Sequence, residues 1–256
     1  MLILLSNDDG ILAPGIQSLR EALIEIAEVV VVAPDRERSA AGHSITVYHP
    51  IRADEFCFTD GRGRGWVVDG TPADCVKLAI CTLLGSPPDL VVSGINRGAN
   101  VGTDVLYSGT VSAALEGAIL GIPSMAVSLN SFDHAADYTF AAQFTCDLCR
   151  QLLKTPLNPE TLLNVNIPAV PSQQIRGVAI TKLGIRRYEE VFTERKDPRG
   201  KTYYWLAGEI VDEDQDDNTD VMALKNDKIS ITPLHYDLTS YQQIKRLNRQ
   251  LKPLLK

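Results

Sequence analysis

Short apolar runs alternate with segments of helical spacing over the first 130 residues of the chain. The runs are rich in Val, Ile and Leu and lie at residues 2–5, 29–33, 90–92 and 125–129. Between them, apolar residues recur at helical spacing over residues 15–27, 72–84 and 108–120. Nearly unbroken runs are typical of strands that are buried on both faces. The alternation predicts an α/β fold with a doubly wound, mostly parallel, Rossmann-like sheet, whose ligands bind at the carboxyl ends of the strands.

The pattern changes towards the C-terminus. After a further helix and strand, the remaining segments predict two hairpin arms, a strand and a terminal helix, at residues 188–193, 202–210, 228–234 and 240–251. We therefore expect an α/β core over residues 1–180. Residues 181–256 would add a protruding β-hairpin, an acidic loop, a strand and a terminal helix. Because an isolated hairpin has little core of its own, we expect it to pack against another subunit.

Two adjacent carboxylates follow the first predicted strand. Asp8 and Asp9 stand between Asn7 and Gly10, at a position where an α/β sheet binds its ligands. Two like charges this close raise each other's pKa unless a cation lies between them, and a divalent cation would serve. The alternative is a simple turn, but a turn has no need of two carboxylates. The chain has no GxGxxG here, which excludes a nicotinamide-dependent dehydrogenase.

Later loops of the predicted sheet add neutral oxygen donors and a possible anion site. Ser39 and His43 lie in a polar loop that is equally consistent with an ordinary connection, and Asn96 follows the strand at 90–92. Ser108 precedes a helix whose free N–H groups would bind an anion, although Ser at this position is commonly only an N-cap. Oxygen ligands favour Mg, Mn or Ca over zinc. The set suits metal-assisted transfer of a phosphoryl group to water.

Charge and composition limit the possible partners. The 256 residues carry 25 basic and 32 acidic side chains, for a net charge of −7. No basic run is present, so we expect neither a nucleic-acid polymer nor an anionic membrane as partner. We expect a cytoplasmic protein, because no leader is recognisable and five scattered cysteines suit a reducing compartment. The CxxC pair, Cys146 and Cys149, predicts buried free thiols in a helix.

Much of the net charge comes from one stretch. Six acidic residues lie between Asp212 and Asp220, so the rest of the chain holds 26 acidic against 25 basic residues. We interpret the stretch as a solvated loop. A calcium site is the alternative, although the stretch lacks the glycine and the terminal Glu of an EF-hand loop. The nearly neutral remainder is compatible with a small phosphorylated substrate.

Five motifs along the chain carry a family resemblance. They are ILLSNDDG, APDRERSAAGHSIT, VDGTPADCV, VVSGINRGANVG and YSGTVSAALEGA. In this order and at this spacing, they resemble the SurE family of stationary-phase survival proteins. These are metal-dependent 5'/3'-nucleotidases that also act on short polyphosphate. The resemblance covers essentially the whole chain.

The resemblance implies particular roles for residues in the motifs. One divalent cation, Mg or Mn, would be held by Asp8, Asp9, Ser39 and Asn96. The phosphate of a nucleoside monophosphate would contact Ser108, Gly109 and Thr110, with Asn7, Gly42 and His43 nearby. The hairpin and C-terminal segment would join subunits into a homodimer or homotetramer.

The catalytic roles of the two aspartates leave alternatives open. Asp8 and Asp9 are the predicted catalytic residues, with Asp8 acting as general base towards water. Asp8 could instead attack as a nucleophile, although aspartyl-phosphate enzymes typically separate their two aspartates by one residue. A second class of function is a non-catalytic, regulatory nucleotide-binding module with a structural metal.

Overall fold

The computed structural model describes residues 1–155, 157–158, 160–189, 192–211 and 216–252. Within these ranges it has six α-helices and thirteen strands. The helices are α1 Pro14–Leu23, α2 Pro72–Leu78, α3 Gly109–Ile119, α4 Thr139–Lys154, α5 Asp220–Lys225 and α6 Tyr241–Gln250. The strands are β1 Leu2–Ser6, β2 Glu28–Pro34, β3 Ala53–Phe56, β4 Arg64–Val68, β5 Leu90–Arg97, β6 Ser124–Asn130, β7 Thr161–Pro168, β8 Val178–Ile180, β9 Arg187–Glu189, β10 Phe192–Lys196, β11 Thr202–Leu206, β12 Glu209–Val211 and β13 Ile229–His235.

Nine of these strands form one mostly parallel sheet, which confirms the predicted fold class. Their order is β3-β4-β2-β1-β5-β6-β7-β13-β8, and the antiparallel pairs are β3 with β4 and β7 with β13. From β1 the chain continues to β2 on one side, and it later crosses back to place β5 on the other side. The strand order therefore reverses between β1 and β5. At such a switch point the connections leave in opposite directions and open a crevice at the carboxyl ends.

Helices cover both faces of the sheet, as the unbroken apolar runs predicted. One core cluster joins Ile3 and Leu5 of β1 to α1 and α4, and a second joins Leu4 to α2 and α3. Successive residues of β1 thus pack on opposite faces, which is the period of a strand. Cys146 and Cys149 of α4 are buried free thiols, as predicted from the CxxC spacing.

The structure contains edge elements that the apolar pattern did not predict. Strand β4 pairs in parallel with β2, and β3 closes this edge of the sheet. The sequence of β4, RGWVV, begins with a charge and a glycine, and only Gly65 and Val68 in it are buried. A half-buried strand next to the edge needs no long apolar run, so its signal is weak. Helix α1 also ends at Leu23 rather than residue 27, because a turn leads from it into β2.

The predicted hairpin is present as two antiparallel ladders. Strands β10 and β11 pair from Phe192 with Leu206 to Lys196 with Thr202, and β9 pairs with β12 in the same register. Beyond the hairpin, β13 returns to the main sheet between β7 and β8. The division at residue 180 therefore stays a prediction, since part of the second segment belongs to the sheet. Among the described residues, no helix is long and apolar enough to span a membrane.

The interpretation of the acidic stretch as one solvated loop is wrong at its end. Residues 212–215 of this stretch lie outside the described residues. Asp220 is fully buried at the start of α5, where its carboxylate accepts hydrogen bonds from the backbone N–H groups of Gly102 (2.9 Å) and Gly184 (2.8 Å). Asp216 forms an ion pair with Lys182. The buried carboxylate fastens two loops together, which is a structural role that charge counting does not reveal.

Candidate functional site

The crevice at the switch point holds the carboxylate of Asp8 against the start of α3. Asp8 follows β1 and is only 4% exposed. Its backbone carbonyl accepts a hydrogen bond of 2.7 Å from the N–H of Arg38, and its carboxylate accepts one from the hydroxyl of Thr110. The structure thus joins the loop after β1, the loop after β2 and the first turn of α3.

Burial changes the acidity of both aspartates. Removal from water raises the pKa of Asp8 to about 6, against the opposing hydrogen bond from Thr110, and the charge of Asp9 adds to the increase. Burial also raises the pKa of Asp9, and the neighbouring charge of Glu37 adds to it. The backbone N–H of Arg97 opposes this by donating to Asp9 Oδ2 over 3.2 Å. A buried and a half-buried carboxylate side by side would gain from a bound cation.

Gly109 leaves space directly beside Asp8. A Cβ atom at this glycine would lie 2.7 Å from Cβ and 2.8 Å from Oδ2 of Asp8. Ser108 is the N-cap of α3, because its Oγ accepts a hydrogen bond of 3.1 Å from the N–H of Val111. The first N–H groups of a helix have no partner within the helix. At this helix start the N–H of Thr110 interacts with the Asp8 carboxylate and lowers its pKa, so the first donors of α3 lie beside that carboxylate.

Three more predicted site residues, Asn96, Ser39 and Asn7, differ in which of their polar atoms already form hydrogen bonds. Asn96, at the end of β5, donates its Nδ2 to the carbonyl of Gly98 over 2.7 Å, so its Oδ1 is the atom available to a ligand. Ser39 is exposed, and its hydroxyl donates to Glu37 over 2.7 Å. Asn7 is buried, and its side chain bonds to both N–H and C=O of Gly10. The structure gives Asn7 a role in shaping the turn.

The loop with Gly42 and His43 makes two contacts at α3, one just before its N-terminus and one two turns further along the helix. The N–H of Gly42 donates to the carbonyl of Tyr107 over 3.0 Å, which holds the loop beside Ser108. The Nε2 atom of His43 lies 2.8 Å from Glu116 Oε2, on the same helix. Glu116 was not a predicted site residue. As the only charged residue of α3, it carried a signal in the sequence.

A small cavity of about 210 Å³ adjoins Asp9. Its lining includes Asp9, Gly15, Glu37, Arg97, His134 and Tyr138. The guanidinium of Arg97 contacts the ring of His134 and lies 3.6 Å from Glu37. Arg97 was also missed, because the prediction treated the strand end only as a source of neutral oxygens. It is the cation nearest to Asp9 in the cavity lining.

The oxygen donors fit a hard divalent cation. In the described part of the chain, no three His, Cys, Asp or Glu side chains form a metal-binding group. The candidate set instead combines the carboxylates of Asp8 and Asp9 with neutral oxygens from Asn96 and Ser39. Such mixed oxygen sets suit Mg or Mn, which keep some water ligands and bind through one or two carboxylates. The raised pKa values of the two aspartates are consistent with this fit.

Fold and site together define a doubly wound α/β protein with an acidic ligand site at its switch point, beside an open helix start. A model of the family described as survival protein SurE matches residues 3–190. A protein named 5'-nucleotidase SurE from Heliobacterium modesticaldum is 55% identical over 97% of this chain and 91% of its own length. The one from Thermosynechococcus vestitus is 57% identical over 98% and 97%. The chain belongs to the SurE family, which confirms the resemblance carried by the five motifs.

A solved structure supports the same relationship. The crystal structure of the SurE protein from Aquifex aeolicus has a TM-score of 0.84 and 43% sequence identity. The match covers 98% of this chain and 99% of that one. The agreement therefore extends beyond the α/β core to the segment that contains the hairpin and β13.

Proposed function

We propose that this protein is a metal-dependent phosphomonoesterase, a hydrolase that converts nucleoside 5'- and 3'-monophosphates to nucleoside and phosphate. Short-chain polyphosphate is a further substrate. The contact between Asp8 and the first turn of α3 carries the proposal, because it puts a carboxylate beside a natural phosphate site. The relatives named 5'-nucleotidase SurE support the same substrate class.

One divalent cation, Mg²⁺ or Mn²⁺, would be held by Asp8, Asp9, Ser39 and Asn96. When bound, it supplies positive charge to the phosphoryl oxygens and acidity to a water ligand. The chain orients the oxygen atoms that would bind the cation. Thr110 fixes one oxygen of Asp8, the backbone N–H of Arg97 fixes one oxygen of Asp9, and Gly98 orients the amide of Asn96.

The N-terminus of α3 binds the substrate phosphate. The N–H of Gly109 donates to a phosphate oxygen at the positive end of the helix dipole, and Thr110 contributes through its contacts with Asp8. Ser108 caps the helix, and His43 and Gly42 cover this end from the loop after β2. Donors fixed in this way are ready for the extra negative charge of the transition state and need no rearrangement.

Asp8 acts as general base and accepts a proton from the attacking water. The hydroxyl of Thr110 holds the carboxylate in the orientation that this proton transfer needs. Direct attack by Asp8 on phosphorus is the competing path. A substrate that is chiral at phosphorus separates the two, because one displacement by water inverts the configuration and two successive displacements retain it. Retention would refute the role of Asp8 as a base towards water.

A panel of nucleoside monophosphates with Mn²⁺, Mg²⁺ or a chelator tests the proposed function. We expect phosphate release that needs the metal. Replacement of Asp8 or Asp9 by Asn should reduce it at least 100-fold while the circular dichroism spectrum stays unchanged. Asp147→Asn, an exposed change on α4, is the matched control and should retain full activity. Binding of nucleotide without any phosphate release would favour the regulatory module instead.

We also propose that the hairpin joins subunits into a homodimer or homotetramer. Strand β11 presents exposed Tyr203, Tyr204 and Trp205, with Phe192 exposed on β10. Exposed aromatic residues of this density are typical of protein interfaces. Light scattering should give a mass that is a multiple of 28.0 kDa, and Trp205→Glu should lower it. A monomeric wild-type protein would refute the proposed assembly.

A further inference from the structure

The only charged side chain of α3 is buried at the centre of a three-residue cluster. Glu116 lies two turns beyond the helix start and is 3% exposed. Its Oε2 is 2.8 Å from Nε2 of His43, and its Oε1 is 2.7 Å from Nζ of Lys77 on α2. A carboxylate in this position is costly to bury unless both oxygens are paired. Here each oxygen has its own partner.

The cluster determines which nitrogen of His43 carries a proton. The hydrogen bond with His43 lowers the pKa of Glu116, and the contact with Lys77 lowers it further, against the effect of burial. Glu116 is therefore ionised at neutral pH and can only accept hydrogen bonds. His43 must then donate from Nε2, which leaves Nδ1 as the nitrogen available to a further partner. The contact fixes both the orientation and the tautomer of the ring.

The loop that carries His43 is anchored independently of this contact. The N–H of Gly42 donates to Tyr107, and the N–H of Thr46 donates to Asp74 Oδ1 over 3.0 Å. These bonds hold the backbone over the starts of α3 and α2. Within this cluster, Glu116 is the partner of the His43 ring, which is 27% exposed. The backbone bonds place the loop, whereas Glu116 orients the ring.

We propose that Glu116 is a positioning residue, which holds the His43 imidazole in one orientation and one tautomer beside the phosphate site of α3. The inference rests on the proposed function for its effect on turnover. Glu116 lies two turns along the same rigid helix that Ser108 caps, so this helix would both bind the phosphate and orient the imidazole. Lys77 balances the charge of Glu116 from the outside, where it is half exposed.

A double-mutant cycle measures whether Glu116 acts through His43. Glu116→Gln preserves the shape of the buried side chain, and we expect it to lower kcat/KM about 10- to 100-fold, as loss of an orienting partner does. In the His43→Ala background the same change should have less than about a threefold effect. An equal loss in both backgrounds would show a general structural role and overturn the proposal. Glu21→Gln, the same substitution at an exposed position of α1, is the control and should stay within about threefold of wild type.

Nitrogen-15 NMR of the imidazole rings tests the orientation without any turnover. The chain has four histidines, and the signals that vanish in His43→Ala identify the ring of interest. We expect a protonated Nε2 in the wild type and a changed tautomer balance in Glu116→Gln, with His43 unchanged in Glu21→Gln. Unchanged His43 signals in Glu116→Gln would overturn the inference. If the wild type released no phosphate, the proposed function would fail, but this measurement would still decide the role of Glu116.

Discussion

Adding a single methyl group at residue 109 should damage the candidate site from within. In Gly109→Ala, the new Cβ would lie 2.7 Å from Cβ and 2.8 Å from Oδ2 of Asp8. Non-bonded carbon atoms are attracted at about 3.5 to 4.0 Å, so the side chains must separate by roughly 1 Å. Neither side can yield easily. Asp8 is fixed by Arg38 and Thr110, and the helix start is fixed by its Ser108 cap.

The geometry gives a magnitude for both stability and activity. Overpacking by one methyl group in a tight site costs about 1 to 3 kcal/mol. The better helix propensity of Ala offsets at most about 1 kcal/mol of this cost. A displacement of about 1 Å at reacting groups lowers the rate on the order of 100-fold. We therefore expect a modest loss of stability and a large loss of kcat.

The assay compares this variant with a crowding change far from the site. Gly65→Ala puts a Cβ 3.0 Å from the ring of Phe58, near the β3 edge of the sheet. Both variants are unfolded in urea, and both are assayed for phosphate release from a nucleoside monophosphate with Mn²⁺. We expect a loss of stability in both but a loss of kcat only in Gly109→Ala. Wild-type kcat in Gly109→Ala would refute the contact between Asp8 and the phosphate site.

Three further experiments test the fold. Asp220→Ala leaves buried N–H groups of Gly102 and Gly184 without a partner. We expect it to lower the free energy of unfolding in urea by about 2 to 4 kcal/mol. A decrease below about 0.5 kcal/mol would contradict this. The hydrogen bond from Arg20 lowers the pKa of Asp60, so the stability it adds is present above the unfolded pKa and is lost as pH falls. Urea midpoints of wild type and Asp60→Asn should therefore differ at pH 7 and converge towards pH 3; a constant difference would count against the pair. Of the five cysteines, the two exposed ones should react with a thiol reagent in the native state and all five after unfolding; three or more fast thiols would contradict the buried positions.

The sequence predicts the centre of the sheet better than its edges. The apolar runs of β1 and β2 are clear because residues such as Leu4 and Leu5 pack against different helix layers and both faces exclude water. Strand β4 lies near an edge of the sheet, where Arg64 and Gly65 shorten the apolar run. An unbroken apolar run indicates burial on both faces of a strand. It therefore loses its power where one side of a strand borders solvent.

The candidate site shows a similar limit, set by distance along the chain. Strand order and the rule of carboxyl ends suffice to expect Asp8 and Asn96 near one crevice, because both follow strands of the same sheet. No such rule pairs Thr110 with Asp8, 102 residues away, or His43 with Glu116, 73 residues away. These contacts depend on which face of α3 meets which loop. A pattern of residue types along one segment does not show how the helix is rotated about its axis relative to these loops.

A charged residue in an otherwise apolar or small-residue segment nevertheless gives a usable signal. Glu116 is the only charge of α3. It is buried, and it joins segments that are distant in sequence. The free-energy cost of burying an ion explains why: a carboxylate can remain in such a place only if several donors converge on it. An isolated charge within a predicted buried helix therefore predicts a long-range contact, even where the sequence does not identify the partner.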